Sequence, residues 1–207
     1  MEPGVKRVSI IYILYKVRSI FFKCFYRKAP LWSKEAVKFA EKLLRETDSV
    51  LEFGSGRSTI WFASICKNVV SIEHDKKWVE KVQMDLKSNG LSDKVILKYL
   101  PLIQNLEPCD QPYVSINEIK YDRGFDIVLI DGKLRDHSTL AGLKFLKSNG
   151  ILIIDDVHRY LPLTKSTEIS KKDNLKGDWS KVWEIIKNWR EIRTTDGIHE
   201  TSFFFKS

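Results

Sequence analysis

Carboxylates recur in this chain where apolar runs stop. "VLEFGSG" places Glu52 just before Gly54, Ser55 and Gly56; "SIEHD" ends on Glu73, His74 and Asp75; "IVLIDG" stops at Asp131; "ILIIDD" stops at Asp155 and Asp156. Gly54 and Gly56 leave the backbone bare, so the chain can turn tightly and a ligand can approach its N–H groups. Glu73 lies 17 residues beyond Gly56, close to the interval at which an acid reaches ribose hydroxyls in nucleotide-binding folds. A single such acid reads as a solvated loop charge. Four acidic strand ends facing one crevice read as a binding site.

Asp131, Asp155 and Asp156 suggest a reaction centre. Neighbouring strands lie about 4.8 Å apart, so these three carboxylates should converge and push one pKa upward unless a charge compensates. A divalent cation would compensate, and oxygen ligands suit Mg or Mn. Lys133, His137 and His158 follow these strand ends and are the candidate bases; Arg135, Arg159 and Tyr160 are rim candidates for substrate binding. Asp131, Lys133 and His158 form the expected catalytic set. Each of these residues also reads plainly as a polar side chain facing solvent.

The elements that must position these groups alternate. "SKEAVKFAEKLL" reads as a helix with Ser33 as its cap. Strand "SVLEFG", helix "STIWFASICK", strand "NVVSIE" and helix "HDKKWVEKVQMDLKSNG" follow, the last closed by Asn89-Gly90. Strand "KVILKYL" precedes an irregular stretch over 101–123. Then come strand "FDIVLID", helix "STLAGLKFLKSNG" with the same Asn-Gly stop, strand "GILIIDD", helix "WSKVWEIIKNWR", and two strands about Asp196-Gly197. Right-handed crossovers then give an α/β fold: a Rossmann-like, doubly wound, seven-stranded, mostly parallel sheet with a C-terminal antiparallel hairpin. Ligands of such sheets bind beyond the carboxyl ends of the strands. Trp61 and Trp78 sit on helices and read as core residues.

The chain has 207 residues with a net charge of +8, enough for one well-buried domain. The charge is uneven. Residues 1–28 carry seven basic side chains against Glu2, leaving only +2 for the rest, too little to neutralise a nucleic-acid backbone. The segment over 1–29 is basic and apolar. Lys16, Arg18 and Lys23 interrupt it, which excludes a bilayer span. It reads equally as a helix docked on the domain or on a second subunit, or as a membrane-surface contact through residues 5–28. Residues 30–207 form the catalytic domain. Cys24, Cys66 and Cys109 lack metal-ligand spacing and suggest a reducing, cytoplasmic setting.

Two observations narrow the ligand. The third glycine of a G-x-G-x-x-G dinucleotide turn is replaced by Thr59, and Glu52 would sit badly beside a pyrophosphate. "VLEFGSG", "SIEHDKKW", "FDIVLIDG" and "GILIIDD" together resemble the class I S-adenosylmethionine-dependent methyltransferases, within their small O-methyltransferase-like subgroup. The likeness covers about residues 30–207. It implies that Glu52, Gly54, Ser55, Gly56, Ser58, Glu73, His74 and Asp131 bind S-adenosylmethionine, with Glu73 on the ribose and His74 beside the adenine. The third strand ends "KYLPLIQN", without the acid many members place there for the adenine amine. Asp131, Asp155 and Asp156 are similar to the metal-dependent catechol-type arrangement, with Asp-Asp where that group has Asp-Asn. The implied reaction is O-methylation of a small-molecule, sugar or glycan hydroxyl, metal-assisted. The alternatives are an NAD-type oxidoreductase and a non-catalytic adaptor retaining the cofactor fold.

Overall fold

A computed structural model describes residues 17, 29–116, 121, 123–161, 175–197 and 199–207. The basic apolar segment expected over 1–29 lies outside these, apart from Val17 and Ala29. Helix α1 (Lys34–Leu43) starts where expected: Ser33 Oγ accepts the Ala36 N–H at 3.1 Å. The chain then alternates β1 (Ser49–Phe53), α2 (Arg57–Ile65), β2 (Asn68–Glu73), α3 (Lys76–Ser88), β3 (Val95–Tyr99), β4 (Phe125–Ile130), α4 (Arg135–Leu143), β5 (Leu146–Asp155), α5 (Trp179–Ile186), β6 (Arg190–Thr195) and β7 (Glu200–Phe205).

The sheet order is β3-β2-β1-β4-β5-β7-β6. β1 pairs in parallel with both β2 and β4, so strand order reverses between β1 and β4 and opens a crevice at their carboxyl ends. β7 runs antiparallel to both β5 and β6, which confirms the terminal hairpin. Every residue of β1 is buried, as expected where helices cover both faces of a sheet.

Alternation along each strand builds two cores. Leu51, Phe53, Ile72, Val128, Ile130 and Phe204 pack on one face against Tyr113, Trp179 and Val182. Val50, Ile127, Leu129 and Phe203 pack on the other against Trp32, Ala36, Phe62 and Val82. Each fully buried side chain of this size stabilises the fold by about 1.5–3 kcal/mol. Trp32 contributes edge contacts to Trp61, Phe62 and Phe203 at 5.9, 6.1 and 6.4 Å, fastening the α1 layer to the sheet.

Gly90 closes α3 with φ at +68°, as the Asn-Gly signal predicts. The second Asn-Gly behaves differently. α4 already ends at Leu143, and Asn149-Gly150 lies within β5. Phe125 faces Leu146 but Ile127 faces Ile151, so residues 147–150 bulge out of the ladder. The Phe125 N–H bonds to the Phe145 carbonyl at 2.7 Å and draws the chain into the sheet early. Lys147 Nζ fixes the excursion on Asp126.

Candidate active site

The crevice is built from the exit of β1. Gly54 turns at φ +98°, and its N–H donates to the Ile72 carbonyl at 2.9 Å. A Cβ at this position would stand 2.6 Å from the Gly132 backbone, so the exits of β1 and β4 touch through glycines. Gly56 is extended, with φ at 169°, and a Cβ there would approach only the Trp78 ring nitrogen, at 3.9 Å.

Glu52 lies beneath this turn and is fully buried. Ser58, Thr59 and Ser71 hydroxyls all donate to its carboxylate at 2.5 Å. Thr59 Oγ1 in turn accepts the Gly56 N–H at 2.8 Å. Desolvation pushes the Glu52 pKa up to about 7, with the three hydroxyl donors opposing and Glu73 adding to the rise. The folded chain therefore keeps a proton that an unfolded chain, with an ordinary value near 4.5, has released. Stability should fall as pH rises from about 4.5 through about 7, by up to about 3 kcal/mol. Asp131 and Asp155 are shifted in the same direction, so Glu52→Gln should show a shallower, not a flat, decline. Urea titrations across this pH range test it; an equally steep decline in the variant would rule out Glu52 as the source.

Glu73, at the end of β2, faces the crevice. Its Oε1 accepts the His74 and Asp75 N–H groups at 2.7 and 3.0 Å, and its Oε2 accepts the Ser55 N–H at 3.1 Å. Three backbone donors thus fix its orientation. His74 Nδ1 stands 2.7 Å from Oε1 without hydrogen-bond alignment, and its ring meets Tyr113 edge-on at 5.7 Å. Asp75 caps α3 through the Lys77 and Trp78 N–H groups. Trp78 Nε1 donates to the Ser55 carbonyl at 2.7 Å.

On the far wall, Arg135 ties the ends of β4 and β5 together. Its guanidinium donates to Asp131 Oδ1 at 3.0 Å and to the Asp131, Gly132 and Asp155 carbonyls. Burial, and then the charge of Asp155, raises the Asp131 pKa well above the ordinary carboxylate range, against the pull of Arg135.

These groups line a cleft of about 680 Å³, between Leu31, the Gly54–Gly56 turn, Glu73, Trp78 and Asp131. That size suits a nucleoside-bearing ligand. Gly132, Lys133 and Arg135 also line a second cavity of about 690 Å³ toward Arg159 and Tyr160.

Known proteins share this architecture. No protein-family model matches the chain. An rRNA adenine N-6-methyltransferase of Escherichia coli is 31% identical over 138 residues, which are 64% of this chain and 53% of the relative. The chain thus spans about half the length of that curated relative. The O-methyltransferase of Bacillus cereus, solved with SAH, aligns over 98% of this chain and 93% of its own at 18% identity, with a TM-score of 0.59. An rRNA methylase of Streptococcus thermophilus aligns over 98% and 99% at 11% identity, with a TM-score of 0.51. The chain has the class I S-adenosylmethionine-dependent methyltransferase fold.

Within this methyltransferase fold, the structure brings Gly54, Ser55, Gly56, Ser58, Glu73, His74, Asp131 and Lys133 to one cleft. Several expectations change. Glu52 and Ser58 bond to each other, so the Glu52 carboxylate shapes the turn from below instead of lining the cleft. Trp78 is not core: it is 40% exposed and forms a wall of the cleft. Trp61 is buried, as expected. Charge in the cleft is balanced, with Glu73, Asp75, Asp85 and Asp131 against Arg57, Lys81, Lys133 and Arg135. His158 is exposed on the turn Val157–Arg159 and lines neither cavity.

The expected metal set of Asp131, Asp155 and Asp156 does not assemble. Asp155 Oδ1 takes the Thr201 hydroxyl at 2.7 Å. Asp156 adopts a left-handed backbone, with φ at +50°, and faces Arg159 and His199 at 3.3 and 3.5 Å. Among the described residues, no three His, Cys, Asp or Glu side chains converge to hold a metal. The residues present do not fit Mg or Mn: a cation, Arg135, already stands on the Asp131 carboxylate, and Asp155 and Asp156 are taken by Thr201 and by Arg159 and His199. His137 is likewise held, at 2.9 Å from Asp136 and 3.5 Å from Asp178. Sequence reasoning missed the bridging role of Arg135, the buried Tyr113 that backs His74 and the Lys133 N–H from beneath the cleft, and the partnership of His199 with Asp156.

Proposed function

We propose that this chain methylates a hydroxyl oxygen of a small acceptor, a sugar or another hydroxylated molecule. The observation that carries the reading is Glu73, oriented by three loop N–H groups beside the tight Gly54 turn, in the cleft that Asp131 also lines. When bound, S-adenosylmethionine supplies an electrophilic methyl group, the carbon–sulfur electron pair leaving with sulfur. Glu73 would accept the ribose hydroxyls. Trp78 and Leu31 wall the cleft with apolar surface that a bound ligand would cover. Asp131, with its raised proton affinity, would take the acceptor's proton as the new carbon–oxygen bond forms. Arg135 holds that carboxylate in place, and Lys133 lines both the cleft and the cavity beyond.

An oxidoreductase reading is disfavoured by Thr59. It fills the third-glycine position and is buried, tied to both Glu52 and Gly56. Nucleic acid, the substrate class in the E. coli relative's name, is disfavoured by the small charge excess beyond residue 28. The reading places the protein in the cytoplasm. Among the described residues no helix is long and apolar enough to cross a membrane; the membrane-surface segment lies outside them. Titration calorimetry tests the reading. S-adenosylhomocysteine should bind tightly and equally with Mg or with a chelator, and NAD should not. A folded chain that binds NAD and not S-adenosylhomocysteine would overturn it.

A further inference from the structure

The second cavity has an electrostatic character that the cofactor cleft lacks. Lys133, Arg135, Arg159 and Lys176 line it against one carboxylate, Asp136. That carboxylate is already committed. Its Oδ1 accepts the His137 N–H at 2.9 Å and lies 2.9 Å from the same residue's Nδ1, and its Oδ2 accepts the Asp178 N–H at 3.0 Å. Arg135 is committed in the other direction, to Asp131 and three carbonyls. Arg159 pairs with Asp156 at 3.3 Å, and its side chain is 60% exposed. Lys133 and Lys176 have no carboxylate partner among the described residues.

Other features add to this surplus of positive charge. α4 opens into the cavity behind Leu134, which offers no side-chain cap; the His137 and Ser138 N–H groups are taken by Asp136 and Leu134, which leaves those of Arg135 and Asp136 available. One wall is rigid: Tyr160 stacks on buried Trp179 at 4.9 Å, with the Arg135 guanidinium 5.7 Å from the Tyr160 ring centre. The opposite loop closes through Gly177, at φ +60°, where a Cβ would stand 2.5 Å from Asp136 Oδ2. A concave site lined by four cations and one committed carboxylate, two of the cations (Lys133 and Lys176) lacking a carboxylate partner among the described residues, selects an anion. Separated lysines, an arginine and helix N–H groups together match the multiple acceptor oxygens of a phosphate better than the two of a carboxylate.

We propose that the acceptor carries a phosphate group, bound in this second cavity by Lys133, Lys176 and Arg159. Its hydroxyl then lies across the Gly132–Lys133 ledge, at Asp131. The inference rests on the methyltransferase reading, and its test separates the two. The full chain, saturated with S-adenosylhomocysteine, is titrated with glucose 6-phosphate, with glucose and with acetate. Glucose 6-phosphate should bind, more weakly as salt rises, while glucose and acetate should not. Lys176→Gln should weaken it roughly tenfold and leave S-adenosylhomocysteine binding unchanged, which also shows that the variant is folded. Equal binding of glucose and glucose 6-phosphate, or no effect of Lys176→Gln, would overturn the phosphate site and leave the methyltransferase reading intact. Phosphate binding without S-adenosylhomocysteine binding would instead overturn the reading beneath it.

Discussion

Alanine at Gly54 is expected to destabilise the fold by at least about 3 kcal/mol. Two independent costs combine. The position has φ at +98°, which a Cβ makes unfavourable, and that Cβ would stand 2.6 Å from the Cα and N of Gly132. Backbone cannot yield as a flexible side chain would, because Asp131, just before Gly132, is tied to Phe53 by a 2.9 Å bond across the sheet. Set against a typical stability of about 5–15 kcal/mol, this is a large fraction. Thermal unfolding should show a strongly lowered midpoint, and S-adenosylhomocysteine binding should be lost with the turn. Gly56→Ala is the internal control: its backbone is extended and its nearest neighbour is a ring nitrogen at 3.9 Å. A mild effect at Gly54 would show that the β1 and β4 exits can separate, and the account of the crevice would fail.

The second large effect falls on binding. Glu73→Ala should weaken S-adenosylhomocysteine at least about 100-fold, since hydrogen bonds to a charged group contribute about 1.5–3 kcal/mol each and two ribose hydroxyls are expected there. The same substitution strands the Ser55, His74 and Asp75 N–H groups, so the unfolding midpoint should fall as well. Glu73→Gln separates these contributions: it keeps the shape of the side chain and most of the loop order, and loses the charge. Its affinity should lie between wild type and alanine, with a near-normal midpoint. Calorimetry that found Glu73→Ala binding like wild type would remove Glu73 from the cofactor site.

Much of the frame was legible in the residues. Continuous apolar runs such as "IVLI" imply strands covered on both faces, and their acidic ends mark the crevice. Ser33 and Gly90 act as the helix caps that their types and positions suggest, while Asp75, read as a strand-end acid, caps α3 instead. These signals are local: each depends on a few neighbouring residues whose backbone geometry admits few answers. Asn149-Gly150 shows the limit of that logic. The same dipeptide that stops α3 sits inside β5, because pairing of Phe125 with the chain at Phe145 and Leu146 outweighs the local turn preference.

The reaction side was decided by tertiary structure. Asp131, Asp155 and Asp156 look equivalent along the sequence, yet one faces the cleft beside Arg135, one bonds Thr201 on β7, and one turns toward His199. That division follows from the left-handed backbone at Asp156 and from the hairpin folding back beside β5. Trp78 reads as core from helix periodicity, but its place is set by the Ser55 carbonyl 23 residues earlier. Sequence by itself determined the strands, the glycine turn and the acid that closes β2, because those need only local geometry and burial. Only the tertiary structure decided which charges meet, because Arg135 can bond the Asp131 carboxylate and the Asp155 carbonyl together only once β4 and β5 lie side by side.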